Sequence, residues 1–127
     1  MRPKSHTLTA HELELMKIVW RRGEPVTVRD VYEELRKART VAYTTVLTNM
    51  KTLEQKGYLR ASQQDRAHVY RSARPRHEVI RHMVRDFVTR VFNGAGQPLV
   101  VQLLEDDHLS ADDLRDITRM IAKGKKR

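Results

Sequence analysis

Ala42-Tyr43-Thr44-Thr45-Val46-Leu47-Thr48-Asn49-Met50-Lys51-Thr52-Leu53-Glu54-Gln55-Lys56-Gly57 is the stretch whose reading decides the fold. Val46, Met50 and Leu53 stand at i, i+4 and i+7, which is one stripe of an α-helix. The opposite stripe carries Thr44, Thr48, Lys51 and Gln55, with Thr45 and Thr52 at its edges. Short hydroxyls and a cation differ from the Glu/Lys mixture of an ordinary solvated face. Hydroxyls bond to phosphates and base edges, and a helix that presents them fits the major groove. Gly57 readily takes the left-handed conformation that ends a helix. Two readings stand here: a DNA-recognition helix, or a threonine-rich surface helix with no special role.

What flanks the stretch bears on that choice. Upstream, Thr9-Ala10-His11-Glu12 has the form of a capping box, opening a helix to about Arg22 with Leu13, Met16, Val19 and Trp20 at core spacing. Arg21-Arg22-Gly23-Glu24-Pro25 ends it, and Pro25-Val26-Thr27 is a short extended piece. A second helix runs from about Val28 to Lys37, its apolar positions being Val28, Val31, Tyr32 and Leu35. Downstream of Gly57 the period changes to about two. Tyr58–Gln63 and His68–Ala73 read as strands joined by the turn Gln64-Asp65-Arg66-Ala67. A lone hairpin is marginal in water, so it must pack on the helices. Three helices and then a hairpin is the order of a winged helix-turn-helix, the wing carrying Arg60, Arg66, His68 and Arg71.

Pro75 suits the first turn of a new helix, and residues 1–74 and 75–127 divide as a DNA-binding part and a helical dimerisation part. From His77 to Phe92 the apolar stripe, with Ile80, Met83, Val84, Phe87, Val88 and Val91, is too wide for a helix covering a small core from one side. Asn93-Gly94-Ala95-Gly96-Gln97 reads as a loop and Pro98 as the start of a short helix with Leu103 on its apolar face. Ser110-Ala111-Asp112-Asp113 resembles a capping box opening a last helix with Leu114, Ile117, Met120 and Ile121 on one face, and the tail from Lys123 reads as frayed. Three apolar-faced helices in so short a piece bury too little surface to stand alone. Pairing with a second copy is the economical solution, and packing back on the N-terminal part is the alternative.

The chain has 127 residues and a net charge of +9 from 25 basic and 16 acidic side chains, which points to a polyanionic partner. The excess is uneven. Residues 1–74 hold 15 Lys/Arg against 8 Asp/Glu, and the remainder 10 against 8. Lys51, Lys56, Arg60, Arg66, Arg71 and Arg74 cluster about the third helix and the hairpin. With no cysteine, disulfides, thiolate metal sites and cysteine catalysis are excluded. No apolar run reaches the ~20 residues of a membrane span, and Met1-Arg2-Pro3-Lys4-Ser5-His6 leads into an amphipathic stretch; a cytoplasmic protein is expected. No nucleophile elbow, P-loop or His-Glu-x-x-His is present, and Gly94-Ala95-Gly96 lacks the third glycine of a dinucleotide loop. His77 and His82 lie five apart, off one helical face, and Glu105-Asp106-Asp107 reads as a solvated loop. We therefore expect no catalytic residues, metal or cofactor.

At this point the chain resembles the penicillinase-repressor (BlaI/MecI/CopY) family of transcriptional regulators. The fragments that carry the resemblance are Leu13-Glu14-Leu15-Met16-Lys17-Ile18-Val19-Trp20, Thr27-Val28-Arg29-Asp30-Val31, Ala42-Tyr43-Thr44-Thr45-Val46-Leu47-Thr48, Lys56-Gly57-Tyr58-Leu59 and Arg66-Ala67-His68-Val69-Tyr70. It implies a homodimeric repressor whose winged helices read a pseudo-palindromic operator in double-stranded DNA. The family's DNA contacts fall here on Ala42, Thr44, Thr45, Thr48 and Thr52, with Tyr43 and Leu47 beside them. Where relatives often carry Lys or Arg this chain has Thr44, Leu47 and Thr52, which shifts phosphate contact toward Lys51 and the wing. In antibiotic-responsive relatives a membrane sensor protease triggers cleavage of an Asn-Phe bond in the fifth helix; the matching pair here is Gln102-Leu103. The C-terminal cysteines of copper-responsive relatives are absent. A ligand-sensing winged-helix regulator and a winged-helix module that binds protein are the alternatives.

Overall fold

The structure, a computed structural model, describes residues 7–125. Six helices and one two-stranded antiparallel sheet follow in the order α1 (Ala10–Arg22), α2 (Val28–Ala38), α3 (Tyr43–Gln55), β1 (Leu59–Gln64), β2 (Ala67–Ser72), α4 (Arg76–Phe92), α5 (Gly96–Glu105) and α6 (Ala111–Lys125). This is the expected mainly helical architecture with a small β-wing. The chain forms two compact units, Met1–Val84 and Arg85–Arg127.

In the first unit, local chemistry sets the helix ends. Thr9 accepts from the Glu12 N–H at 3.1 Å while Glu12 accepts from the Thr9 N–H at 3.0 Å, the expected capping box. Thr27 and Asp30 repeat the device at the start of α2, at 3.0 and 2.9 Å. Gly57 takes φ +89°, as its place after the third helix requires. There the Tyr58 N–H donates to the Leu53 carbonyl at 2.9 Å and the Gly57 N–H to Glu54 at 3.0 Å, a Schellman closure.

Packing follows the apolar stripes. Leu15, Met16 and Val19 of α1, Val31 and Leu35 of α2, and Val46, Met50 and Leu53 of α3 share one buried cluster with Tyr58 and Tyr70. The hairpin is fixed to it in two ways that depend on distant residues. Val26 and Tyr70 exchange both backbone hydrogen bonds, at 2.8 and 2.7 Å, so the extended piece before α2 adds a one-residue bridge to β2. Half-buried Trp20 donates from Nε1 to Ser72 Oγ at 3.0 Å. Val79 of α4 is also buried in this cluster and Met83 packs against it, so the first turns of α4 belong to the same unit.

The one buried charge is Glu12, among the described residues, and Lys56 Nζ donates to it at 2.8 Å from the far end of α3. Burial works to raise the Glu12 carboxyl, but the Lys56 and Thr9 hydrogen bonds outweigh it and hold the group below its ordinary value.

The second unit comprises the end of α4 with α5 and α6. The Ser110–Asp113 box opens α6 as expected, each partner at 3.0 Å. Two expectations need correction. α5 begins at Gly96 and not at Pro98, because the first N–H groups of a helix have no partner and proline is tolerated inside the first turn. α6 does not fray at Lys123 but continues through Gly124 to Lys125; an internal glycine costs only about 1 kcal/mol. The rest of the expected tail, like Met1–His6, lies outside the described residues. Phe87 and Phe92 meet edge to face at 5.9 Å. No described residue after Val79 is buried.

Candidate nucleic-acid interface

The buried stripe of α3 dictates what its other side presents. With Val46, Met50 and Leu53 at zero exposure, Thr44, Thr45, Thr48 and Lys51 are held outward and exposed. Leu47 and Thr52 are half-buried, Leu47 packing against the core. Ala42 is the N-cap, extended at φ −83° and ψ 142°, and it caps no N–H with its side chain. The Thr45 N–H donates to the Ala42 carbonyl at 3.1 Å, so it is the Tyr43 and Thr44 N–H groups that keep their capacity for an outside acceptor.

Tyr43, the first residue of α3, is locked in place from α2. Its ring meets Tyr32 edge to face at 5.4 Å, and the Arg29 guanidinium lies 5.3 Å from its centroid. Arg29 also lies 5.7 Å from the Tyr32 ring and pairs with Glu33 at 3.2 Å. Arg29 was not among the expected interface residues. The signal was legible: a cation in the first turn of a helix opposes the macrodipole, and a capping box cannot explain it.

Between the start of α2, α3 and the hairpin lies a cleft of about 440 Å³, with Thr27, Arg29, Tyr43, Leu47, Lys51 and His68 among its walls. A smaller cleft of about 250 Å³ lies on the other flank of α3, where Thr45 and Asn49 face His11 and Arg39.

The hairpin register places its cations. Gln64 pairs with Ala67, leaving Asp65 and Arg66 as a two-residue loop at φ +50° and +69°, the left-handed pair of a type I′ turn. Arginine pays about 1–2 kcal/mol for that conformation, and its side chain stands exposed at the tip. Arg60 and Arg71 are direct cross-strand partners, and both are exposed. Like charges so placed disfavour the pairing, and an anion between them would reverse the sign. His68 lies on the opposite face, beside Tyr70 at 5.2 Å.

Two members of the expected cationic cluster have other partners. Lys56, the C-cap of α3, is held by Glu12 of α1, and Arg74 stacks on Tyr58 at 5.0 Å. Both are structural contacts that depend on residues distant in sequence. Lys51, Arg60, Arg66 and Arg71 form no ion pair among the described residues; Lys51 shares the exposed side of α3 with the threonines, Arg66 stands at the wing tip, and Arg60 and Arg71 lie on the hairpin face opposite His68.

Of the expected dimer residues, Val84, Phe87, Val91, Ile117 and Ile121 are exposed, joined by Val101 and Met120. Ile80, Val88, Leu103 and Leu114 are half-buried, while Met83 is engaged by the N-terminal core. Gln102 is exposed in α5 and donates to Asp106 at 3.1 Å. Among the described residues, no helix is long and apolar enough to cross a membrane, and no group of three His, Asp or Glu could hold a metal ion.

These features have counterparts in known proteins. The chain is 28% identical to the penicillinase repressor of Bacillus licheniformis over 116 residues, covering 91% of this chain and 90% of that protein. It is 33% identical over 113 residues to the transcriptional regulator BlaI of Mycobacterium tuberculosis, covering 88% and 80%. The solution structure of the monomeric form of Bacillus licheniformis BlaI in complex with the blaP half-operator superposes with a TM-score of 0.50 at 28% identity, over 57% of this chain and 87% of that one. The penicillinase repressor family model matches residues 8–123, nearly the whole length. The chain belongs to the penicillinase repressor family.

Proposed function

We propose that this chain is a sequence-specific repressor that binds double-stranded operator DNA as a homodimer, residues 1–74 making the DNA contacts and residues 75–127 the dimer. The observation that carries the reading is the outer face of α3, where Thr44, Thr45, Thr48 and Lys51 stand exposed beside a hairpin bearing Arg60, Arg66 and Arg71. Exposed hydroxyls select among base edges and the cations take backbone phosphates. Ala42 and Tyr43 set the entry of the helix into the groove. Half-buried Leu47 and Thr52 limit how deeply it seats, and His68 stands at the wing side.

The dimer reading is supported by the apolar residues left exposed on each C-terminal helix: Phe87 and Val91 on α4, Val101 on α5, and Ile117, Met120 and Ile121 on α6, with Val84 exposed earlier on α4. A two-fold axis would set two recognition helices in successive major grooves about 34 Å apart, over a pseudo-palindrome. Bound there, the dimer excludes RNA polymerase from the promoter. This activity needs no cofactor and no catalysis, and it is exercised in the cytoplasm. Relief of repression would follow cleavage at Gln102-Leu103, triggered by a membrane sensor protease. Because that bond lies within α5, the helix must open locally before a protease can take it.

The deciding experiment is a gel shift with the promoter DNA beside the protein's own gene against scrambled competitor. A retarded band that specific DNA displaces and scrambled DNA does not is the expected result; equal displacement would sink the sequence-specific reading.

A further inference from the structure

The cleft between α2, α3 and the hairpin has a composition that the threonine face does not account for. Arg29, Lys51 and His68 converge on it from three separate elements, and Thr27 and Tyr43 add hydroxyls. None of its walls is an Asp or Glu. The Arg29 guanidinium and the Lys51 ammonium so offer hydrogen-bond donors and positive charge to an anion seated in the cleft.

Arg29 is the best placed of the three. It is held over the Tyr43 ring at 5.3 Å and tethered to Glu33 through one nitrogen at 3.2 Å, while its side chain is still 65% exposed. The guanidinium has five donors in a rigid fork, so several remain for a second acceptor. Tyr43 is also the first residue of α3. An anion gripped by Arg29 is thereby fixed, through one ring, to the helix that displays Thr44, Thr45 and Thr48.

We infer that this cleft seats one phosphodiester of the DNA backbone, with Arg29 and Lys51 as its donors and His68 beside them, and that the Arg29–Tyr43 stack ties that grip to the register of α3. The inference rests on the DNA-binding reading above and adds a site to it. Arg29 binds the phosphate; Tyr43 acts as a positioning residue through Arg29.

The test is fluorescence anisotropy of the full chain with a labelled duplex of its own promoter and with a scrambled duplex, across a KCl series. Loss of one phosphate contact lowers the slope of log K against log[KCl] by about 0.9 per chain bound, which is roughly eightfold in affinity at 0.1 M. Arg29→Gln should show that loss on both duplexes, and Lys51→Gln should show it again independently. Arg21→Gln removes a charge from α1 outside the cleft and should leave the slope unchanged. Tyr43→Leu should weaken the promoter duplex more than the scrambled one, a split that simple charge loss does not produce. A parent chain that binds neither duplex defeats the DNA reading itself. A parent that binds, with parental slopes in both Arg29→Gln and Lys51→Gln, leaves that reading intact and overturns the cleft. Inorganic phosphate at 10 mM and constant ionic strength should barely compete; if it displaces the duplex from the parent but not from Arg29→Gln, the cleft is a free-phosphate site and the inference also fails.

Discussion

Replacing Glu12 with glutamine tests how the recognition helix is anchored. The carboxylate side chain is 6% exposed and that of Lys56 23%, with Nζ 2.8 Å from Oε1. Glutamine keeps an oxygen for the Thr9 N–H, so the capping box survives and only the charge is lost. A hydrogen bond to a charged group is worth about 1.5–3 kcal/mol net. Lys56 can swing partly into water, which places the expected loss at about 1–2 kcal/mol, toward the low end of that range. In a unit of this size, each kcal/mol lowers Tm by roughly 4–8 °C. Glu12→Ala also removes the box and should cost about 1 kcal/mol more. Pairing Glu12→Gln with Lys56→Met removes both charges, so the double variant should be more stable than the sum of the singles predicts, by about 1 kcal/mol.

The pH dependence fixes the sign. The folded Glu12 carboxyl lies below its ordinary value, despite burial, because Lys56 and Thr9 favour the charged form. A depressed carboxyl stabilises the fold above the ordinary carboxylate range and loses that contribution as pH falls through the folded value. The gap between parent and Glu12→Gln should therefore be full at pH 7 and close under acid. Urea unfolding at fixed protein concentration measures it. A variant as stable as the parent at pH 7, or a gap that does not narrow in acid, would refute the anchoring argument.

Other expectations concern binding and assembly. Thr48→Ala should weaken the promoter duplex by about 1 kcal/mol, the net worth of a single hydrogen bond, and scrambled DNA much less; equal weakening would show that Thr48 reads no base. Arg66→Gly removes the wing-tip cation while relieving its left-handed strain, so it should lower the salt slope by about 0.9 per chain without loss of Tm. An unchanged slope would separate the tip from the backbone. Phe87→Glu, on the exposed stripe of α4, should halve the mass in light scattering at micromolar concentration and leave the first unit folded; a parent already monomeric there would remove the dimer from the proposal. In alkali, burial holds the Tyr58 and Tyr70 phenols above their ordinary value. Their share of stability is present below that value and lost as pH rises through the folded one, which absorbance titration with circular dichroism would follow.

The local features of this fold were written in the sequence because they depend on neighbours along the chain. Apolar spacing in α3 fixed which side is buried and so which threonines face out; hydroxyl–carboxylate pairs three residues apart set the starts of α1 and α6. The change from a helical period to alternation located the wing within a residue at each end. Contacts between residues far apart were decided only by the tertiary structure. Nothing near Lys56 in the chain marks it as the partner of Glu12, so a cation counted toward the DNA face is bound inside instead. The bridge from Val26 to Tyr70 and the placement of Arg29 over Tyr43 likewise depend on how α2, α3 and the hairpin are brought together. Periodicity tells which face of Ala42–Gly57 points outward; packing decides which charges stand beside it, because a side chain's partners are set by the three-dimensional path of the chain and not by its position in the sequence.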